Sequence, residues 1–293
     1  MPKVSVIMPV YNNAPYLQEA VSSILHQSFR DFEFLIFDDC STDGSSEILA
    51  SIRDPRVRLI RNPYNRGLIA NLNEGLNMAQ GEYIVRMDGD DVSLPDRIML
   101  QVQFMDANPA VGICGTAFHV LGEAQPKVNP LSHEEIQAWL LFHCCLHHPT
   151  VIMRNSIMQQ HYIRYDANYP HAEDYELWNR VASYVQMANL PQVLLYYRRH
   201  SGQVSSQHVH IQNDSAKRVR IRELNNLGLY PTEEEFGVHM RFVEFGINPH
   251  DPANYYPAWA WAQKLLYQNS VGNRYNQEAL NTALSRCISQ LPY

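Results

Sequence analysis

Tyr83-Ile84-Val85-Arg86-Met87-Asp88-Gly89-Asp90-Asp91 (YIVRMDGDD) runs from an apolar, strand-like stretch straight into three carboxylates within four residues. The apolar half reads as a buried strand, and the acidic half as the loop at its carboxyl end. Carboxylates packed this closely repel one another, and a hard divalent cation with oxygen ligands is the simplest way to keep them ionised. Magnesium or manganese suits such a site. Both ions keep open positions for phosphate oxygens, so the cluster points to a ligand carrying a diphosphate. A solvated acidic turn is the alternative reading of this stretch taken alone.

Upstream, the same design recurs. Val4 to Met8 reads as a buried strand that Pro9 stops, with Tyr11-Asn12-Asn13-Ala14-Pro15 turning into a helix whose Leu17, Ala20, Val21, Ile24 and Leu25 recur at helical spacing. Phe32 to Phe37 is a second strand, ending in Asp38-Asp39-Cys40-Ser41-Thr42-Asp43-Gly44 before a helix over 45–52. Val57 to Ile60 is a third strand, followed by Asn62 to Gly67 and a helix through Leu68, Leu72 and Leu76. Alternation of strand and helix predicts an α/β fold, a mostly parallel twisted sheet flanked by helices. Ligands of such sheets bind at the carboxyl ends of strands, where all four polar loops fall. The glycines do not form GxGxxG, which removes the main support for a dinucleotide site.

Beyond Asp91 the alternation weakens. A helix over 97–105 and strands near Val111 to Cys114 and Thr150 to Met153 make a mixed region, and residues 206–293 read mostly as helices, with Thr232 and Glu235 set as a capping box. The expected organisation is a domain over 1–205, divided into 1–91 and 92–205, with a helical C-terminal extension over 206–293. Residues 1–200 hold 15 Lys+Arg against 22 Asp+Glu, so the net charge of -7 lies there and the tail is neutral. That balance disfavours nucleic acid as a partner. Five irregularly spaced cysteines fit reduced thiols, most of them core fillers. No apolar run approaches the roughly 18 residues of a membrane span, and Met1 to Val4 has no signal-peptide profile, which predicts a cytoplasmic protein.

Five ordered motifs carry a resemblance: VSVIMPVYN (4–12), DDCSTDG (38–44), NRGLIANLNEG (65–75), GEYIVRMDGDD (81–91) and EDYELW (173–178). Together they resemble family 2 nucleotide-sugar glycosyltransferases with the A-type glycosyltransferase fold, over roughly residues 3–205. The resemblance implies a nucleotide-binding half, 1–91, and an acceptor-binding half, 92–205. It implies that Pro9 and Tyr11 line the nucleobase and ribose of a uridine nucleotide, and that Asp39 accepts from the base edge. Asn65, Arg66 and Asn71 stand where the family meets the nucleotide, Arg66 being equally readable as a surface arginine. Asp43 reads better as a cap for the following helix.

Asp88, Gly89 and Asp90 match the family's Asp-x-Asp motif, which places Asp88 toward the ribose and Asp90 on the metal, Mn or Mg, that bridges the phosphates. Asp91 reads as orienting a ligand or a backbone amide. His200 is a further candidate ligand for the metal, beside a purely structural reading, and Arg198 and Arg199 could meet the diphosphate. Asp174 is the implied general base, with Glu173 turned to the acceptor or a backbone group; helix-terminal acids complementing the dipole are the alternative.

His143-Cys144-Cys145-Leu146-His147-His148 invites a zinc reading, but adjacent residues of an extended segment point to opposite sides and separated pairs are absent. The resemblance implies that the segment just before a strand such as Thr150 to Arg154 faces the acceptor, which makes His147 and His148 acceptor-loop candidates; the cysteines read as packing. The implied activity is inverting transfer of a sugar, UDP-linked, to a hydroxyl of a glycan or lipid-linked glycan, in the setting of bacterial surface polysaccharide. The alternatives are a sugar-phosphate nucleotidyltransferase, disfavoured because Pro9 to Asn13 holds no glycine and no basic residue, and a non-catalytic sugar-binding or scaffolding protein. The aromatic run Tyr255 to Trp261 reads as core packing. Peripheral contact with the inner face of a membrane, or a homo-oligomer through the C-terminal helices, is the other reading, and only Lys264 and Arg274 lie between Tyr255 and Tyr275 to attract anionic lipid.

Overall fold

A computed structural model describes residues 1–200, 202–203 and 208–289. Strands β1 (Val4–Val10), β2 (Phe32–Asp38), β3 (Val57–Arg61) and β4 (Tyr83–Arg86) are joined by helices α1 (Ala14–Leu25), α2 (Ser45–Ser51) and α3 (Leu68–Met78). All pairings among these strands are parallel. After β5 (Val92–Ser93) and α4 (Arg97–Ala107) come β6 (Val111–Val120), α5 (His133–Trp139), β7 (Ile152–Arg154), α6 (Asn155–Gln160), α7 (Glu173–Val181) and β8 (Gln186–Tyr197). The strands form one eight-stranded sheet of order β3-β2-β1-β4-β7-β6-β8-β5, in which β7 runs antiparallel to β4 and β6.

Alternation along each strand divides the core into two layers. Val4, Val6 and Met8 of β1 pack with Leu17 and Ile24 of α1 and with Met105 of α4. Ile7, on the opposite face, packs with Leu72 and Leu76 of α3. Gly75 lets α3 lie directly on β1, because a Cβ there would stand 2.7 Å from the Ile7 side chain.

Two sequence expectations need correction. Pro9 does not stop β1, which continues through it to Val10 opposite Phe37 and Asp38. Ile7 faces β4, its carbonyl accepting from the Met87 N–H, so Pro9 two residues on faces the same side, beyond the last β1–β4 pair, where a missing N–H costs no ladder bond. Strand β8 was not anticipated: Pro191 and Asn189 interrupt its pattern, and its register against β6 slips near Thr116 and Ala117.

Four helices close the described chain: α8 (Val209–Asn226), α9 (Glu233–Val243), α10 (Pro252–Gly272) and α11 (Gln277–Ser289). The Thr232–Glu235 capping box opens α9 as expected. Val219, Phe242, Leu265 and Leu280 share a single buried cluster with Ile136, Phe142 and Trp178, so these helices are welded to the half of the sheet that carries α7. Trp261 is buried as core, whereas Tyr256, Trp259 and Tyr267 of the same helix are exposed. Among the described residues no helix is long and apolar enough to cross a membrane. All five cysteines are free, with Cys40 exposed and Cys114, Cys145 and Cys287 buried.

Candidate active site

Strand β4 delivers the acidic loop to the carboxyl edge of the sheet, at the point where β1 and β4 diverge. One ligating oxygen from each of Asp88, Asp90 and Asp91 lies within 4.8 Å of the others. Asp91 is fully buried; its Oδ1 accepts the Arg198 N–H at 2.9 Å, and its Oδ2 has no partner. Burial and the neighbouring charges of Asp88 and Asp90 push the Asp91 carboxyl well above the usual carboxylate range. An orphaned buried oxygen within a trio of hard donors is the donor set a Mg or Mn ion requires. Gly89 permits this packing, since a Cβ would come 3.0 Å from the Asn13 side chain.

His200 stands one hydrogen bond behind this trio, with Nε2 3.0 Å from Asp90 Oδ2. The Gly202 N–H donates to its Nδ1 at 3.2 Å, which leaves the ring proton on Nε2, pointing at Asp90. In this tautomer His200 is placed to orient Asp90. Arg198 braces the loop through the Asp90 carbonyl at 2.9 Å and through Glu19 at 2.6 Å, and Arg199 pairs with Glu123 at 2.5 Å, so both guanidinium groups already have carboxylate partners.

At the end of β2, Asp39 is 3% exposed and organises the loop after β3. Its Oδ1 accepts from Asn62 Nδ2 at 2.7 Å and from the Arg66 N–H at 2.8 Å, and its Oδ2 from the Gly67 N–H at 2.9 Å. Burial alone would raise this carboxyl, but these donors hold it below its ordinary value. Asn71 adds a further side-chain donor, which brings the donors to about the four acceptor positions that a carboxylate has. Gly67, at φ 83°, supplies the left-handed turn that aims its N–H at Asp39.

Asn71 is fully buried, its amide meeting Asn62, the Gly67 carbonyl and Asp39, so that it shapes the loop. Asn65 and Arg66 are exposed, Arg66 pairing with Glu74. Tyr11 is exposed and Pro9 half-buried at the end of β1. Asp43 caps two helices, accepting from the Ala14 N–H at 2.9 Å and the Ser45 N–H at 3.0 Å.

Helix α7 brings Glu173 and Asp174 to the same region. Asp174 Oδ1 accepts the Tyr175 N–H at 2.7 Å, and Oδ2 lies 3.7 Å from Cys144 Sγ. Burial raises the Asp174 carboxyl. Glu173 is pushed up to about 8, first by burial and then by Asp174, and its Oε2 has no partner. Between pH 4.5 and about 8 the unfolded chain has released this proton while the fold retains it, so the contribution of Glu173 to stability falls as pH rises through that window. Glu173→Gln is therefore expected to gain on the wild type by roughly 1 kcal/mol for each pH step of one across that window, a few kcal/mol at most, between pH 5 and pH 8.5. Urea unfolding at the two pH values measures it; an equal gap at both would show that Glu173 is ionised throughout.

Arg86 ties the two carboxylate groups together, and nothing in the motifs singles it out. Its guanidinium is buried, pairs with Asp88, and exerts its charge on Asp91, Glu173 and Asp174 as well. An arginine within the apolar run 83–87 was the available signal. Arg97, also buried, supports it from α4 by donating to the Arg86 carbonyl at 2.8 Å.

The two acceptor-loop histidines part company. His148 is buried with Nε2 2.9 Å from Tyr165 Oη and Nδ1 3.7 Å from Glu173 Oε1, which makes it a support behind the acidic pair. His147 turns the other way, its ring 4.2 Å from that of Phe118. Of the adjacent cysteines, Cys145 is packing as expected, whereas Cys144 is a wall of the site.

A sheet of this order, with an acidic loop at the end of β4 and a second acidic pair on α7, defines an A-type glycosyltransferase fold. The chain belongs to glycosyl transferase family 2, whose pattern matches residues 5–165. A Haemophilus influenzae protein described as an uncharacterized glycosyltransferase is 34% identical over 246 residues, covering 78% of this chain and 76% of the relative. Staphylococcus aureus TarS 1-349, solved in complex with UDP-GlcNAc, is similar in structure with a TM-score of 0.64 at 18% identity, covering 99% of this chain and 89% of that one. The mannosyltransferase PcManGT from Pyrobaculum calidifontis, solved with GDP-Man and Mn2+, gives 0.60 at 17%, covering 99% and 87%. At such identities these two likenesses speak for the fold.

Proposed function

We propose that the protein is an inverting, metal-dependent glycosyltransferase that moves a sugar from a nucleoside diphosphate, a uridine one, to a hydroxyl of a glycan or lipid-linked glycan. The observation that carries this reading is Arg86, a buried cation that pairs with Asp88 while its charge reaches Glu173 and Asp174 from α7. Asp88, Asp90 and Asp91 would hold the ion, with His200 orienting Asp90. A bound Mg or Mn ion supplies Lewis-acid stabilisation of the charge that gathers on the departing diphosphate.

The remaining chemistry belongs to the chain. Asp174 takes the proton of the acceptor hydroxyl as its oxygen bonds to the anomeric carbon, and the bond from that carbon to the diphosphate oxygen breaks with its electron pair. One displacement from the opposite face inverts the configuration. Glu173, protonated up to about pH 8, is a donor to the acceptor and a poor base at neutral pH. Pro9, Tyr11, Asn65, Arg66 and Asp39 line the nucleotide side.

The test is calorimetric titration of UDP with and without Mn, followed by measurement of UDP released from UDP-N-acetylglucosamine and of GDP from GDP-mannose. Metal-dependent UDP binding with slow release is expected. Binding that ignores the metal, or no binding, contradicts the reading, and tight binding without any release would favour a non-catalytic sugar-binding protein.

A further inference from the structure

Residues 140–146 form an irregular buried segment between α5 and the turn at His148–Thr150. Several of its carbonyls are satisfied by side chains from elsewhere. Tyr175 Oη donates to the Leu140 carbonyl at 2.6 Å and Trp178 Nε1 to that of Leu146 at 2.9 Å, both from α7. From β8, Asn189 Nδ2 donates to the Cys145 carbonyl at 3.1 Å.

The other two donors come from the C-terminal helices. Arg220 of α8 donates through Nε to the Phe142 carbonyl at 3.0 Å, with its guanidinium 5.3 Å from the Tyr175 ring. His239 of α9 has Nε2 3.2 Å from the Leu141 carbonyl and accepts Trp261 Nε1–H on Nδ1 at 3.2 Å. That fixes it as the neutral Nε2–H tautomer. A third tie reaches α7 itself, where Arg222 pairs with buried Glu176 at 2.8 Å, two residues beyond Asp174.

We propose that Arg220 and His239 are positioning residues for Asp174, through which the C-terminal helices hold segment 140–146 and keep Cys144 walled against that carboxylate. The inference rests on the glycosyltransferase reading for the role of Asp174, but the hold on the segment does not. A buried carbonyl left without a donor is costly, so the segment keeps a single arrangement only while α8 and α9 are docked. Asp174 is faced by Glu173, Arg86, Cys144 and Tyr165. Releasing the segment admits water to Asp174 and lowers its raised carboxyl toward the ordinary range.

The experiment compares full-length wild type with Arg220→Met, Arg220→Lys and His239→Phe. Hydrogen exchange of amides 140–146 is expected to quicken at least about tenfold in Arg220→Met while β1 and β2 stay protected. UDP affinity with Mn is expected to hold within about twofold, because the Asp39 loop and the acidic loop are untouched. The maximal rate of UDP release from UDP-N-acetylglucosamine should fall at least about tenfold, with its acid limb moved to lower pH, and Arg220→Lys should recover part of it.

Unchanged exchange in 140–146 with an unchanged pH profile overturns the proposal. So does exchange that quickens throughout the sheet together with lost UDP affinity, which would mark general damage. If Arg220→Met does not fold, His239→Phe carries the same comparison. A wild type that releases no UDP counts against the proposed function alone, and the exchange rates then decide the clamp.

Discussion

Asp174→Asn is expected to lose sugar transfer by about a hundred- to ten-thousandfold while keeping metal-dependent UDP affinity, the range over which a positioned general base acts. Asn has the shape of Asp but no basicity, and it can still accept the Tyr175 N–H that fixes the start of α7. The hydrogen-bond partners of Asp174 are Cys144 and Tyr175, and none comes from the loops after β2 and β3. Removing this carboxylate also removes the second cause that raises Glu173, so the substitution brings the Glu173 carboxyl down. The measurement is the transfer rate beside UDP titration on the same preparation. Transfer at the wild-type rate would take Asp174 out of the mechanism, and a parallel fall in UDP affinity would mean that the substitution had disturbed the acidic loop.

Asp90→Ala is expected to act on binding and turnover together. It deletes one of three carboxylates that converge within 4.8 Å and strands His200 Nε2 without its acceptor. Nucleotide affinity in Mn should fall at least about a hundredfold, beyond the ten- to hundredfold typical of losing a residue that only orients a metal ligand. His200→Ala should stay within that smaller range. Titrating UDP at several Mn concentrations separates the two. If Asp90→Ala keeps the metal dependence of the wild type, the ion does not sit on this loop.

The parallel half of the fold was legible because its strands alternate and its helices carry one apolar stripe each, signals confined to short windows. Capping was equally local: Asp43 and the Thr232–Glu235 box lie where the sequence put them. The second half was less legible. Strand β8 follows no clean alternation, since it bends around Pro191 and slips against β6, and its place in the sheet comes from partners more than 60 residues away. Within the site, the acidic residues were readable as charges and their company was not. Asn71, which the resemblance sets among the nucleotide contacts, is buried and bonded to Asn62 and the Gly67 carbonyl, and the adjacent His147 and His148 part, one to Phe118 and the other to Glu173.

By itself the sequence determined the strand-helix alternation, the crevice at the strand ends, and the crowded carboxylates of Asp88, Asp90 and Asp91, because each is a property of a few consecutive residues. Only the tertiary structure decided that buried Arg86 pairs with Asp88 within reach of the charges of Glu173 and Asp174, that Cys144 walls Asp174, and that α8 and α9 grip segment 140–146. Those contacts arise from desolvation and hydrogen bonding between residues remote in the chain. Composition and spacing carry no record of which buried polar group answers which.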